Sequence, residues 1–77
     1  MNTIREQWEI FNKLVMPKDA PHIQIREMRR SFYAGAEAML RIQSAMVDYS
    51  DDIAVAMLQG LHDEIELFAA EMLRGAA

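Results

Sequence analysis

Between His22 and Tyr33 the chain reads HIQIREMRRSFY, which gathers three arginines, a histidine, an amide and a phenol into one short stretch. A helix advances about 100° per residue, so His22, Arg26, Arg29 and Tyr33 would share a stripe about 60° wide, with Arg30 beside it. Guanidinium groups hold phosphate oxygens through paired donors, and a phenol ring offers a face on which a base can stack. Gln24 adds an amide able to address a base or a ribose. The stripe begins where a helix is expected to start, and free backbone N–H groups at such an end attract anions. Those six residues suit a phosphorylated, aromatic small molecule such as a nucleotide. The alternative is a solvated basic face that pairs with acidic residues of another subunit.

Other candidates are weaker. His62 and Glu66 stand four apart and could share a metal, but two ligands do not make a site. The two histidines cannot build a structural zinc centre alone, and the absence of cysteine removes thiolate ligands and disulfides. There is no nucleophile motif, phosphate-binding glycine loop or helix-turn-helix signature, so neither a catalytic group nor a cofactor is expected. A small helical enzyme with an arginine-lined pocket is the least favoured reading, because the spread of Arg and Lys along a first helix seen in chorismate mutases is not matched.

Three helices must position these residues. Thr3-Ile4-Arg5-Glu6 reads as a capping box opening a helix over about 4–15, with Ile4, Trp8, Phe11 and Val15 at helical spacing and Ile10 and Leu14 beside them. Trp8 and Phe11 are expected in the core. Pro17 should end that helix near Met16, because the residue before a proline avoids helical geometry. A second helix, about 21–48, begins with Pro21 in its first turn. It carries Ile25, Met28, Phe32, Gly35, Met39, Ile42, Met46 and Tyr49 in alternating steps of three and four, with Tyr33, Ala36, Leu40 and Val47 on its flank. Ser50-Asp51-Asp52 starts a third helix, about 51–74, on which Ala54, Leu58, Leu61, Ile65, Phe68 and Met72 keep the same rhythm. The methionines mostly occupy seam positions and are expected to fill the core.

The fold expected is all-α: an antiparallel hairpin of the two long helices with the shorter one packed across it, as a single domain over 1–77. If the hairpin turns at Tyr49–Ser50, facing residue numbers sum to about 100. Gly35 and Gly60 would then be holes that admit knobs from the facing helix, and Ala at either position should destabilise or change the oligomeric state.

With 77 residues, one domain is the limit, and a chain this short buries only about 60% of the surface its unfolded form exposes. With no disulfide or metal available, a homo-oligomer is the expected source of added stability. No apolar run approaches the roughly 18 residues of a membrane span, and the first residues lack a secretion signal, which points to the cytoplasm. A net charge of −4 argues against wrapping long nucleic acid, but the charge is uneven: residues 1–33 sum to +2 and residues 34–77 to −6.

Several motifs stand together along the chain: Trp8-x-x-Phe11, Val15-Met16-Pro17-x-x-Ala20-Pro21, Gln24, Glu27-x-Arg29-Arg30-Ser31-Phe32-Tyr33-Ala34-Gly35-Ala36, and a late Glu64-Ile65-x-x-Phe68. This pattern resembles a family of small, mostly uncharacterised proteins encoded by tailed phages and prophages, and it covers nearly the whole chain. The resemblance implies a phage accessory factor acting in the cytoplasm of a bacterial host. Such a factor would counter host defence, either as an oligomeric sponge that sequesters a nucleotide signal or by binding a host defence protein; the runner-up reading is an interaction module that blocks or adapts a host or virion protein through an exposed helix face. On the sponge expectation His22, Gln24, Arg26, Arg29, Arg30 and Tyr33 are the ligand-binding residues, and no turnover is needed.

Overall fold

A computed structural model describes residues 2–76. Among these residues the chain is all-helical, with α1 at Ile4–Val15, α2 at His22–Ala45 and α3 at Asp51–Leu73. No helix among them is long and apolar enough to cross a membrane. Residues 1–45 and 46–77 form two compact units, and each is described by itself.

In the first unit, Thr3 caps α1: its hydroxyl accepts from the Glu6 backbone N–H at 3.1 Å and donates to the Glu6 carboxylate at 3.2 Å. The helix stops where the sequence says it should, with Met16 extended at ψ 134° ahead of Pro17. A turn then closes through the Ala20 N–H and the Pro17 carbonyl at 3.1 Å. Pro21 stands one position earlier than expected: it lies just outside α2, and its carbonyl accepts the first helical bond from the Ile25 N–H at 3.1 Å.

Three rings lock α1 to α2. Trp8 lies 5.6 Å from Phe32 in an edge-to-face arrangement, and Phe11 lies 5.8 Å from Trp8 and 5.4 Å from Phe32, all centroid to centroid. Ring pairs at such separations contribute roughly 0.5–1.5 kcal/mol each beyond the area they bury. Trp8, only 6% exposed, and Met16 are the buried hydrophobic residues of this unit. The expected core role holds for Trp8, and Phe11 packs beside it half-buried. Val15, expected on the same apolar face, is instead exposed, as are Ile10 and Leu14.

The second helix ends three residues before the expected 48. Residues 46–48 are turns, and the Tyr49 N–H bonds back to the Met46 carbonyl at 3.1 Å. The cause is local: no basic residue occupies the last turn, and Asp48 would add negative charge at the negative end of the dipole. Val47 and Tyr49 are also modest helix formers.

In the second unit Ser50 caps α3, its hydroxyl accepting from the Ile53 N–H at 3.4 Å, with Asp51 and Asp52 in the first turn. Gly75, at φ 73°, closes the far end. The Ala76 N–H reaches the Glu71 carbonyl at 2.9 Å and the Gly75 N–H reaches Met72 at 3.0 Å, which is a Schellman closure that glycine makes easy. No residue of α3 is buried. Of the methionines expected in a core, Met16 and Met46 are buried within the chain and Met72 is exposed on it; Met1 lies outside the described residues. A Cβ added at Gly35 or Gly60 would meet nothing within 4 Å.

Candidate functional site

The first twelve residues of α2, His22 to Tyr33, carry the site. The structure brings Arg26, Arg29, Arg30 and Tyr33 together around an open depression of about 320 Å³. These four residues come from successive turns of one helix, so their convergence follows from the 3.6-residue period alone. His22 and Gln24 are exposed on the same helix but do not line the depression. Four of the six residues singled out by the sequence are therefore assembled and two are not.

Tyr33 is the fixed part. It is half-buried, and its ring sits edge-on to Phe32 at 6.4 Å between centroids. Phe32 in turn is held by Trp8 and Phe11, so the aromatic lock between α1 and α2 also orients the phenol. The Arg29 guanidinium carbon lies 5.6 Å from the Tyr33 ring centroid, within the range of a cation–π contact. That contact holds the exposed guanidinium beside the ring.

Arg26 and Arg30 are held differently, by a residue the sequence reading passed over. The Glu27 carboxylate lies 3.2 Å from Arg30 Nη1 and 4.0 Å from Arg26 Nε, while the Ser31 hydroxyl donates to the Glu27 backbone carbonyl at 3.1 Å. The signal was present in the sequence: Glu27 and Arg30 stand at i,i+3, a spacing at which opposite charges meet on a helix. These ion pairs are well exposed and contribute little to stability. Their effect is on charge: three guanidiniums against one carboxylate leave a local surplus of +2. Among the described residues, Arg29 is the one arginine of this face with no carboxylate within 4.0 Å.

An exposed cation, two tethered cations beside it and a ring held edge-on by the core can bind an anion that also presents a flat apolar surface. His62 and Glu66 are both exposed on α3, and no group of three or more His, Cys, Asp or Glu side chains able to hold a metal occurs among the described residues. No protein-family model, curated protein or solved structure matches this chain.

Proposed function

We propose that this chain is a non-catalytic binding protein that holds an anionic, nucleotide-like ligand on the α2 face formed by Arg26, Arg29, Arg30 and Tyr33. In the phage setting implied by the sequence resemblance, it sequesters such a signal from a host effector and so counters host defence. His22 and Gln24, one turn before the depression, reach a ligand only if it extends toward the start of α2. The protein acts as a homo-oligomer, and the antiparallel pairing of α2 with α3 belongs to the same reading.

The observation that carries this reading is the pairing of a carboxylate-free arginine with a core-anchored ring in one depression. Phosphate binding alone would not need Tyr33, and a merely solvated basic face would not need it fixed edge-on to Phe32. A thermal-shift screen against mononucleotides and cyclic nucleotides tests it. Ligand at about 100 times its Kd stabilises the folded state by about 2.7 kcal/mol, which for a domain this small is a rise of many degrees. A panel that leaves the melting temperature unmoved at millimolar concentration speaks against the reading.

A second reading has its own support. The apolar residues of α3 are exposed along its length, including Ile53, Val55, Leu67 and Leu73, and an exposed amphipathic helix is a common means of engaging another protein. On that reading the chain blocks or adapts a host or virion protein. A flat nucleotide screen together with a stoichiometric complex with one host protein would favour it.

A further inference from the structure

We propose that the apolar heptad face of α3 is covered by α2 of a second copy of this chain, the two helices running antiparallel and the exchange being reciprocal. Ala54, Leu58, Leu61, Ile65, Phe68 and Met72 follow one another in steps of four, three, four, three and four, the spacing of a continuous packing seam. A seam of this kind is normally covered. Here Leu58 is 40% exposed, Ile65 62%, and Phe68 and Met72 55% each. Exposed apolar surface of this continuity marks an interaction site.

The identity of the occupant follows from register and charge. Ile25, Met28, Phe32, Gly35, Met39 and Ile42 on α2 keep the complementary rhythm of three, four, three, four and three. Laid antiparallel with facing numbers summing to 100, the α3 seam meets α2 layer by layer: Met72 with Met28, Leu61 with Met39, Leu58 with Ile42, and Phe68 with Phe32, whose ring also packs on Trp8 and Phe11 and which, like Met28, Met39 and Ile42, is half-buried. Ile65 then falls opposite Gly35, on a side of α2 where a Cβ would meet nothing within 4 Å. The flanking positions bring no like charges together, since Ala69 falls beside Arg29 and Glu71 beside Ser31. Arg29 thus stays free for an anion while the seams are paired.

Charge selects the same partner. Residues 1–45 hold seven Lys and Arg against five Asp and Glu, a surplus of +2, whereas residues 46–77 hold one Arg against seven acids, a surplus of −6. Two α3 helices brought together would set −6 against −6. An α3 brought onto the first unit of another copy joins opposite signs, which favours encounter and suppresses the wrong pairing. The chain is also too small to gain much stability from its own core, and an exchanged pair buries both seams at once.

The absence of cysteine from the sequence gives a clean test. Two single variants, Ile42→Cys and Leu58→Cys, are mixed and oxidised, and one is isotopically labelled so that mass spectrometry reports which chains are joined. The expected product is a disulfide between one labelled and one unlabelled chain, and the double variant should give linked dimers rather than internally bridged monomers. Bridging of the double variant within a single chain, with no mixed product, would assign the seam to the chain's own α2 and overturn the proposal. No disulfide in either experiment would also overturn it and leave the face to a foreign protein. Sedimentation of the unmodified chain supplies a second measurement: a dimer or a multiple of it is expected, and a folded 8.9 kDa species stable to dilution contradicts the exchange. The inference rests on the oligomer half of the proposed function; because these experiments need no ligand, their failure is distinguishable from failure of the anion site.

Discussion

The guanidinium carbon of Arg29 stands 5.6 Å from the centre of the Tyr33 ring, one helical turn further along the same face of α2. The contact joins a charge that has no carboxylate partner among the described residues to a ring that the core holds in place. It makes Arg29 the residue on which anion binding should depend most. Arg29→Ala should remove nucleotide binding and lower stability by no more than about 1 kcal/mol, the scale of an exposed cation–π contact. Isothermal titration with the best nucleotide from the screen, beside a thermal melt of the variant, reads both quantities. Binding that survives in Arg29→Ala would move the site elsewhere.

Glu27 should oppose ligand binding. Its carboxylate lies between Arg30 and Arg26 and removes one unit of positive charge from the face. Glu27→Gln is expected to tighten nucleotide binding several-fold at low salt, with the gain shrinking by 0.15 M salt, where the screening length is about 8 Å. Affinity measured at two ionic strengths checks this. A loss of affinity would mean that Glu27 positions the two arginines more than it neutralises them.

The aromatic lock should carry much of the stability of the first unit. Trp8 is the most buried side chain there and touches both Phe11 and Phe32. Trp8→Ala should cost about 3–5 kcal/mol, the usual range for deleting a buried large aromatic. For so small a domain that approaches the whole stability, so the variant should be largely unfolded by circular dichroism at room temperature. A cooperative melt close to that of the natural chain would show that the rings contribute less than their contacts suggest.

Gly60 should behave in the opposite way. It lies inside α3, off the heptad seam, with nothing within 4 Å of an added Cβ. Gly60→Ala is therefore expected to raise stability by roughly 0.5–1 kcal/mol, because Ala is the better helix former and the open space admits it. A lower melting temperature would reveal a neighbour supplied by another copy.

Much of this structure was legible in the sequence, and the reasons differ from part to part. Helix starts were readable because Thr3 and Ser50 supply capping oxygens at fixed offsets, and the end of α3 because Gly75 permits the left-handed turn. The grouping of Arg26, Arg29, Arg30 and Tyr33 was readable because neighbours on a helix face depend on spacing alone. The end of α2 was misread: apolar rhythm continued through Met46 and Tyr49, but rhythm reports which face is apolar and not whether the last turn is stable. What faces each glycine was not legible, since a missing Cβ reveals nothing about whether a neighbour comes close; within one chain an added Cβ meets nothing within 4 Å. Gln24 was included for its chemistry and His22 for its place on the stripe, and neither fixes how far along the helix the depression reaches.

The most direct test of the anion-binding face is an NMR titration of ¹⁵N-labelled protein with mononucleotides and cyclic nucleotides, using sodium sulfate as the control for charge alone. The expected result is that at least one nucleotide shifts the backbone amides of residues 26–33 in a saturable way, and that sulfate at the same concentration moves them far less. Amides of this segment that stay in place with every nucleotide, or move equally with sulfate, would contradict a nucleotide site built on Arg29 and Tyr33.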